Sequence, residues 1–176
     1  MSEHQRSAHD HPHDGAKLTF EAKVLTVSDS VDAGTRADEG GPAVSALLAD
    51  AGFLIVERRV CADGPESVAL SLSNMAYNFW GLIVTTGGTG FGPRDMTPEG
   101  TVRILDRRAY GLSEAMRAAH PNGRLSRIVA GTRGHALIIN TPGSPNGAVE
   151  MLEAIVDVLP HALSLMAGVE TPHPRT

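Results

Sequence analysis

A short apolar run, Gly81-Leu82-Ile83-Val84, leads into Thr85-Thr86-Gly87-Gly88-Thr89-Gly90-Phe91-Gly92-Pro93-Arg94-Asp95-Met96-Thr97-Pro98-Glu99. The run reads as a buried strand. Four glycines within residues 87–92 can neither continue that strand nor begin a stable helix. They allow close backbone approach, and successive free N–H groups there can line an anion-binding hollow. A cation, Arg94, and a carboxylate, Asp95, follow. Thr97-Pro98-Glu99 then predicts an N-cap, a proline at the first helical position and an acid in the first turn. Strand, glycine loop, charged pair and capped helix together point to a site for a phosphorylated ligand. Neither common nucleotide loop is present. There is no G-x-x-x-x-G-K-[ST], and Pro93 falls where G-x-G-x-x-G requires its last glycine.

The rest of the chain supplies a frame for that loop. Its 176 residues suit one domain with a sizeable core. A net charge of −5 argues against a nucleic-acid partner. The lone Cys61 excludes an intrachain disulfide, fits a reducing compartment and reads as a buried thiol. No apolar run approaches membrane-spanning length, and the polar start is unlike a signal peptide, so the cytoplasm is expected, with no membrane contact. Residues 1–17, with His4, His9, His11 and His13, read as a disordered tail. The domain is expected over 18–168, followed by a tail at 169–176.

Strands are predicted within Leu18 to Val27, from Phe53 to Val60, from Gly81 and from His135 to Asn140. Helices are predicted from Pro42 to Gly52, from Pro65 to Phe79, from Pro98 to Arg107, around Ser113–Arg117, and from Asn146 to Gly168 with a kink at Pro160. This alternation predicts a three-layer α/β fold, a mostly parallel sheet with helices on both faces. Ligands in such folds bind beyond the carboxyl ends of the strands. Ser28-Asp29-Ser30, Asp63, Gly87 to Asp95 and Pro142-Gly143-Ser144 all follow strands, and so read as one constellation. Asp63 also reads as an N-cap for the helix at Pro65.

Thr-Val-Ser-Asp-Ser at 26–30, Thr-Gly-Gly-Thr-Gly-Phe at 86–91, Pro-Arg-Asp-Met-Thr-Pro-Glu at 93–99, Leu-Ser-Arg at 125–127 and Ile-Ile-Asn-Thr-Pro-Gly-Ser-Pro at 138–145 resemble, in order and spacing, the MogA/MoaB family of molybdenum cofactor biosynthesis. The combination is specific, although no single motif is, and it covers roughly residues 20–168. The resemblance implies molybdopterin adenylyltransferase activity: Mg-ATP and the dithiolene pterin monophosphate give adenylylated pterin and pyrophosphate. It implies a homotrimer, no permanently bound cofactor, and a molybdate-insertion enzyme as a further partner. A catalytically silent pterin-binding scaffold of the same pathway is the alternative.

The family's two key aspartates map onto Asp63 and Asp95. Asp95 can hold Mg²⁺, while Asp63 either shares the ion or orients the attacking phosphate. Thr86, Gly87, Gly88, Thr89 and Gly90 are expected at the substrate phosphates, with the N–H groups of Gly87–Gly90 facing the transferred group. Ser126, Pro142, Gly143 and Ser144 are expected to contribute to pterin binding. This chain has Asn146-Gly147 where some members carry a lysine, leaving Arg94 and Arg127 as candidate cations for the pterin phosphate.

Overall fold

The computed structural model describes residues 19–168; the histidine-rich segment at 1–17 and the tail at 169–176 lie outside them. The first half runs β1 (Glu21–Val27), α1 (Asp29–Asp32), α2 (Gly40–Asp50), β2 (Leu54–Cys61), α3 (Pro65–Ala76) and β3 (Gly81–Thr86). It continues through α4 (Thr97–Val102), β4 (Arg107–Arg108), α5 (Tyr110–Ala118) and a 3₁₀ turn at Gly123–Leu125. The chain then forms β5 (Ala130–Arg133), β6 (Ala136–Thr141), α6 (Pro145–Glu153) and α7 (Leu159–Met166). The strands form one sheet in the order β2-β1-β3-β6-β5-β4. The four strands from β2 to β6 are parallel, while β5 and β4 add an antiparallel edge.

Period-two alternation divides the central strands between two cores. Ala22, Val24, Leu82, Val84, Leu137 and Ile139 join Val44, Leu48, Met116 and Leu152 on one face. Leu25, Val27, Ile83 and Ile138 join Val68, Leu72 and Met75 of α3 on the other. Every residue of β3 and of β6 is buried, as expected for parallel strands covered on both faces. Each fully buried leucine or isoleucine there contributes about 1.5–3 kcal/mol relative to exposure. Cys61 is buried within the second core, and desolvation raises its thiol pKa.

Several local expectations need correction. Residues 29–32 form a short helix within the stretch expected as strand end and loop, with Ser28 as N-cap accepting from Val31 N–H. The helix over Pro98–Arg107 is shorter, because Arg107 and Arg108 pair with Thr132 and Gly131 as a second strand at the sheet edge. Thr97 is not an N-cap: it lies inside α4, and its hydroxyl, though buried, has no partner among the described residues. Pro160 does not kink a continuous helix. Turns separate α6 from α7, and Pro160 occupies the first turn of α7, where its missing N–H removes no helical bond.

Candidate active site

The register fixes where the functional loops emerge. Val27 lies opposite Cys61, Thr26 opposite Thr86, and Thr86 opposite Thr141. The carboxyl ends of β1, β2, β3 and β6 therefore finish in one row. The connection leaving β1 runs to β2 on one side, and the chain leaving β3 passes to the β6 side, so β1 and β3 flank the topological switch point where ligands bind in such sheets.

Two clefts open there. The first, about 460 Å³, is lined by Ser28, Asp63, Thr86 and Gly87 together with Arg36, Asp38 and Glu39. The second, about 400 Å³, is lined by Thr89, Gly90, Ser126 and Pro142, with Leu125 and Met151 as apolar wall. Gly88, Asp95, Gly143 and Ser144 line both. Both volumes suit a small-molecule ligand. Asp63 and Asp95, 32 residues apart in sequence, thus face one cavity.

The glycine loop follows a constrained path. Gly87 has φ +108°, and a Cβ there would lie 2.2 Å from the Val27 carbonyl oxygen. Gly88 has φ +62°, with its missing Cβ 2.3 Å from Thr97 Oγ1 and 3.2 Å from Asp63 Oδ1. The Gly87 N–H donates to Thr141 O at 3.2 Å, which narrows the free donors expected over Gly87–Gly90. The N–H groups of Gly88, Thr89 and Gly90 donate no hydrogen bond within the described residues. The Pro142-Gly143 turn is fastened to the same strand end, since Thr86 Oγ1 donates to Pro142 O at 2.8 Å.

Two arginines hold this scaffold. Asp29 N–H donates to Asp63 Oδ2 at 2.8 Å, and Asp63 N–H returns a bond to Asp29 Oδ1 at 3.0 Å. Arg94 grips both oxygens of Asp29, and its Nη2 also donates to the Asp63 carbonyl. The Arg94 guanidinium holds the Asp29 carboxyl below its ordinary pKa. Asp63 therefore braces β2 against β1, and no side chain caps α3, against the N-cap reading of Asp63. Arg127 donates to the carbonyls of Gly90 and Asp95 and to the Glu99 carboxylate, tying the glycine loop to α4.

Neither Arg94 nor Arg127 lines either cleft, and neither do Asp29 and Ser30. The Ser30 carbonyl instead accepts the Thr35 and Arg36 N–H groups. Ser126 lines the second cleft with a buried hydroxyl that has no partner among the described residues. Arg36 was not selected from sequence: it is an exposed residue in a polar loop and belongs to no motif. Asp38 accepts from Thr26 Oγ1 at 2.9 Å and from Gly41 N–H at 2.8 Å, so it secures the start of α2.

Residues 23–161 match the model of a family described as a probable molybdopterin binding domain. The chain belongs to this family. Within and around the molybdopterin-binding family, it is 35% identical over 159 residues to a molybdopterin adenylyltransferase of Helicobacter pylori, spanning 85% of this chain and 89% of that one. It is also 35% identical over 157 residues to gephyrin of Dictyostelium discoideum; the match takes in 81% of this chain and only 22% of gephyrin's length. The crystal structure of the molybdopterin biosynthesis enzyme MoaB from Thermus thermophilus superposes with a TM-score of 0.81 at 45% identity, covering 85% of this chain and 98% of that one.

Proposed function

We propose that this chain is a molybdopterin adenylyltransferase that joins AMP from ATP to the terminal phosphate of molybdopterin. The observation that carries the reading is the pair of clefts with a common wall of Gly88, Asp95, Gly143 and Ser144. Two substrates in adjoining cavities, reacting across that wall, explain why the polar and the partly apolar cleft are separate yet contiguous. The relatives named as adenylyltransferases support the same chemistry.

The nucleotide is assigned to the first cleft, where the carboxylates and Arg36 lie, and the pterin to the second, beside Ser126, Leu125 and Met151. A phosphate oxygen of the pterin attacks the α-phosphorus. The bond from that phosphorus to the oxygen bridging to the β-phosphate breaks, and pyrophosphate leaves. Such transfers depend on positioning and charge neutralisation. The free N–H groups of Gly88, Thr89 and Gly90 would meet the charge developing on the transferred group. The Ser126 hydroxyl, buried without a partner among the described residues, is available to the pterin.

The donor set suits Mg²⁺. Asp63 and Asp95 each have one carboxylate oxygen held by a backbone N–H, from Asp29 and Gly92 respectively, leaving the other for an ion. No group of three or more His, Cys, Asp or Glu side chains among the described residues forms a protein-only cage. An ion here would complete its shell with substrate oxygens and water, as Mg²⁺ commonly does. Bound Mg²⁺ supplies neutralisation of the triphosphate charge.

The test is to incubate the purified chain with molybdopterin, ATP and Mg²⁺ and to measure adenylylated pterin and pyrophosphate. Stoichiometric formation of both is expected. Binding of both substrates with no product would instead support the silent-scaffold alternative.

A further inference from the structure

Among the residues lining the first cleft are four carboxylates, Asp38, Glu39, Asp63 and Asp95, and one basic side chain, Arg36. A polyphosphate entering such a cleft meets repulsion unless cations intervene. The neighbouring guanidinium groups are matched by acids: Arg94 with Asp29, Arg127 with Glu99, and Arg58 with Asp38. Arg36 forms no ion pair within the described residues.

Its position is nevertheless defined. The Ser30 carbonyl accepts Thr35 N–H at 2.9 Å, Arg36 N–H at 3.1 Å and Thr35 Oγ1 at 2.9 Å, which fixes the backbone of this loop. Arg36 Nη2 donates to Ser28 Oγ at 3.1 Å. A neutral hydroxyl rather than a carboxylate therefore anchors the guanidinium, and most of its donors are available. A planar fork of N–H donors suits phosphate oxygens.

Its place relative to the common wall narrows which phosphate it meets. The α-phosphate must lie at the wall formed by Gly88 and Asp95, because the pterin phosphate reaches it from the second cleft. Arg36 lines the first cleft only. The adenosine end offers no anion. We infer that Arg36 binds the β- and γ-phosphates of ATP and stabilises pyrophosphate as it leaves, an assignment that rests on the proposed adenylyl transfer. Loop 33–39 thus acts as the leaving-group side of the site.

Calorimetry on the full-length chain with Mg²⁺ tests this, using α,β-methylene ATP, AMP and pyrophosphate as probes. Arg36→Ala is expected to weaken the triphosphate analogue and pyrophosphate about 10- to 100-fold, the range for charged hydrogen bonds. AMP affinity should change by less than about threefold, since AMP lacks the two phosphates. Arg36→Lys should recover part of the loss, whereas Arg108→Ala, the same charge change on the far sheet edge, should have no effect. In turnover, kcat/KM for ATP should fall with Arg36→Ala while KM for the pterin is retained. Equal weakening of AMP and the triphosphate, or no weakening of either, would overturn the assignment. If Arg36→Ala does not fold, as judged by circular dichroism, the Arg36→Lys and Arg36→Gln proteins carry the same comparison. Product formation by wild type with triphosphate binding indifferent to Arg36 sinks only the Arg36 inference. Absence of product with the phosphate discrimination intact sinks only the adenylyl-transfer reading, and a wild type that binds no triphosphate removes both.

Discussion

Three glycine-to-alanine substitutions separate conformational from steric constraint at the glycine loop. Gly34 has φ +70° and open space where a Cβ would stand. Gly34→Ala therefore carries only the left-handed backbone penalty, about 1–2 kcal/mol. Gly88 has nearly the same φ, +62°, but its Cβ would meet Thr97 Oγ1 at 2.3 Å. Thr97 cannot readily withdraw, because it is fully buried and its N–H donates to Gly88 O at 3.0 Å. Overpacking of that kind adds about 1–3 kcal/mol, so Gly88→Ala is expected to destabilise by about 2–5 kcal/mol. Gly111, inside α5 with open space around it, should gain about 0.5–1 kcal/mol as alanine. Urea unfolding with a common m-value gives the three differences. A Gly88→Ala protein within about 0.5 kcal/mol of Gly34→Ala would refute the steric argument, since it would mean that Thr97 yields freely. The same variant should lose turnover, because its Cβ would also press on Asp63 Oδ1 at 3.2 Å.

Further outcomes follow from the charged groups. Asp95→Ala should lower adenylylation about 10²-fold or more with the fold intact, as for loss of one preorganised electrostatic group; near wild-type turnover in a folded protein would refute its role. Arg127→Met should destabilise by about 2–3 kcal/mol in urea unfolding, because it leaves the part-buried Glu99 carboxylate unpaired and two carbonyls without their donor. Asp29, held below its ordinary value of 3.8 by Arg94, stabilises the fold at pH above that value and loses this contribution as pH falls through its lower folded pKa. The stability difference between wild type and Asp29→Asn should accordingly be constant from about pH 8 to 5 and vanish in strong acid, measured by urea unfolding at each pH.

The long apolar signals were legible in the sequence. The runs at Leu82–Val84 and Leu137–Ile139 became the central parallel strands, and the Val68, Leu72, Met75 stripe became the buried face of α3. The glycine loop and both aspartates could be placed at one sheet edge, because each follows a strand. The short antiparallel edge was not legible. Arg107-Arg108 and Ala130-Gly131-Thr132-Arg133 carry no alternating apolar pattern and depend on pairing with each other and with β6. Side-chain partners were also hidden. A guanidinium reaches several ångströms from its backbone, so sequence order does not tell that Arg94 turns to Asp29 and Arg127 to Glu99. Arg36 escaped selection for a related reason: only the folded arrangement shows that it lines the first cleft and forms no ion pair within the described residues.

The wall between the clefts has a consequence for kinetics. Gly88, Asp95, Gly143 and Ser144 each border both cavities. On the proposed assignment, a substitution at any of them would perturb nucleotide and pterin together, so a rise in both Michaelis constants there identifies neither ligand. Positions that border a single chamber, Arg36 on one side and Ser126 on the other, are the ones whose variants can assign a substrate to its compartment.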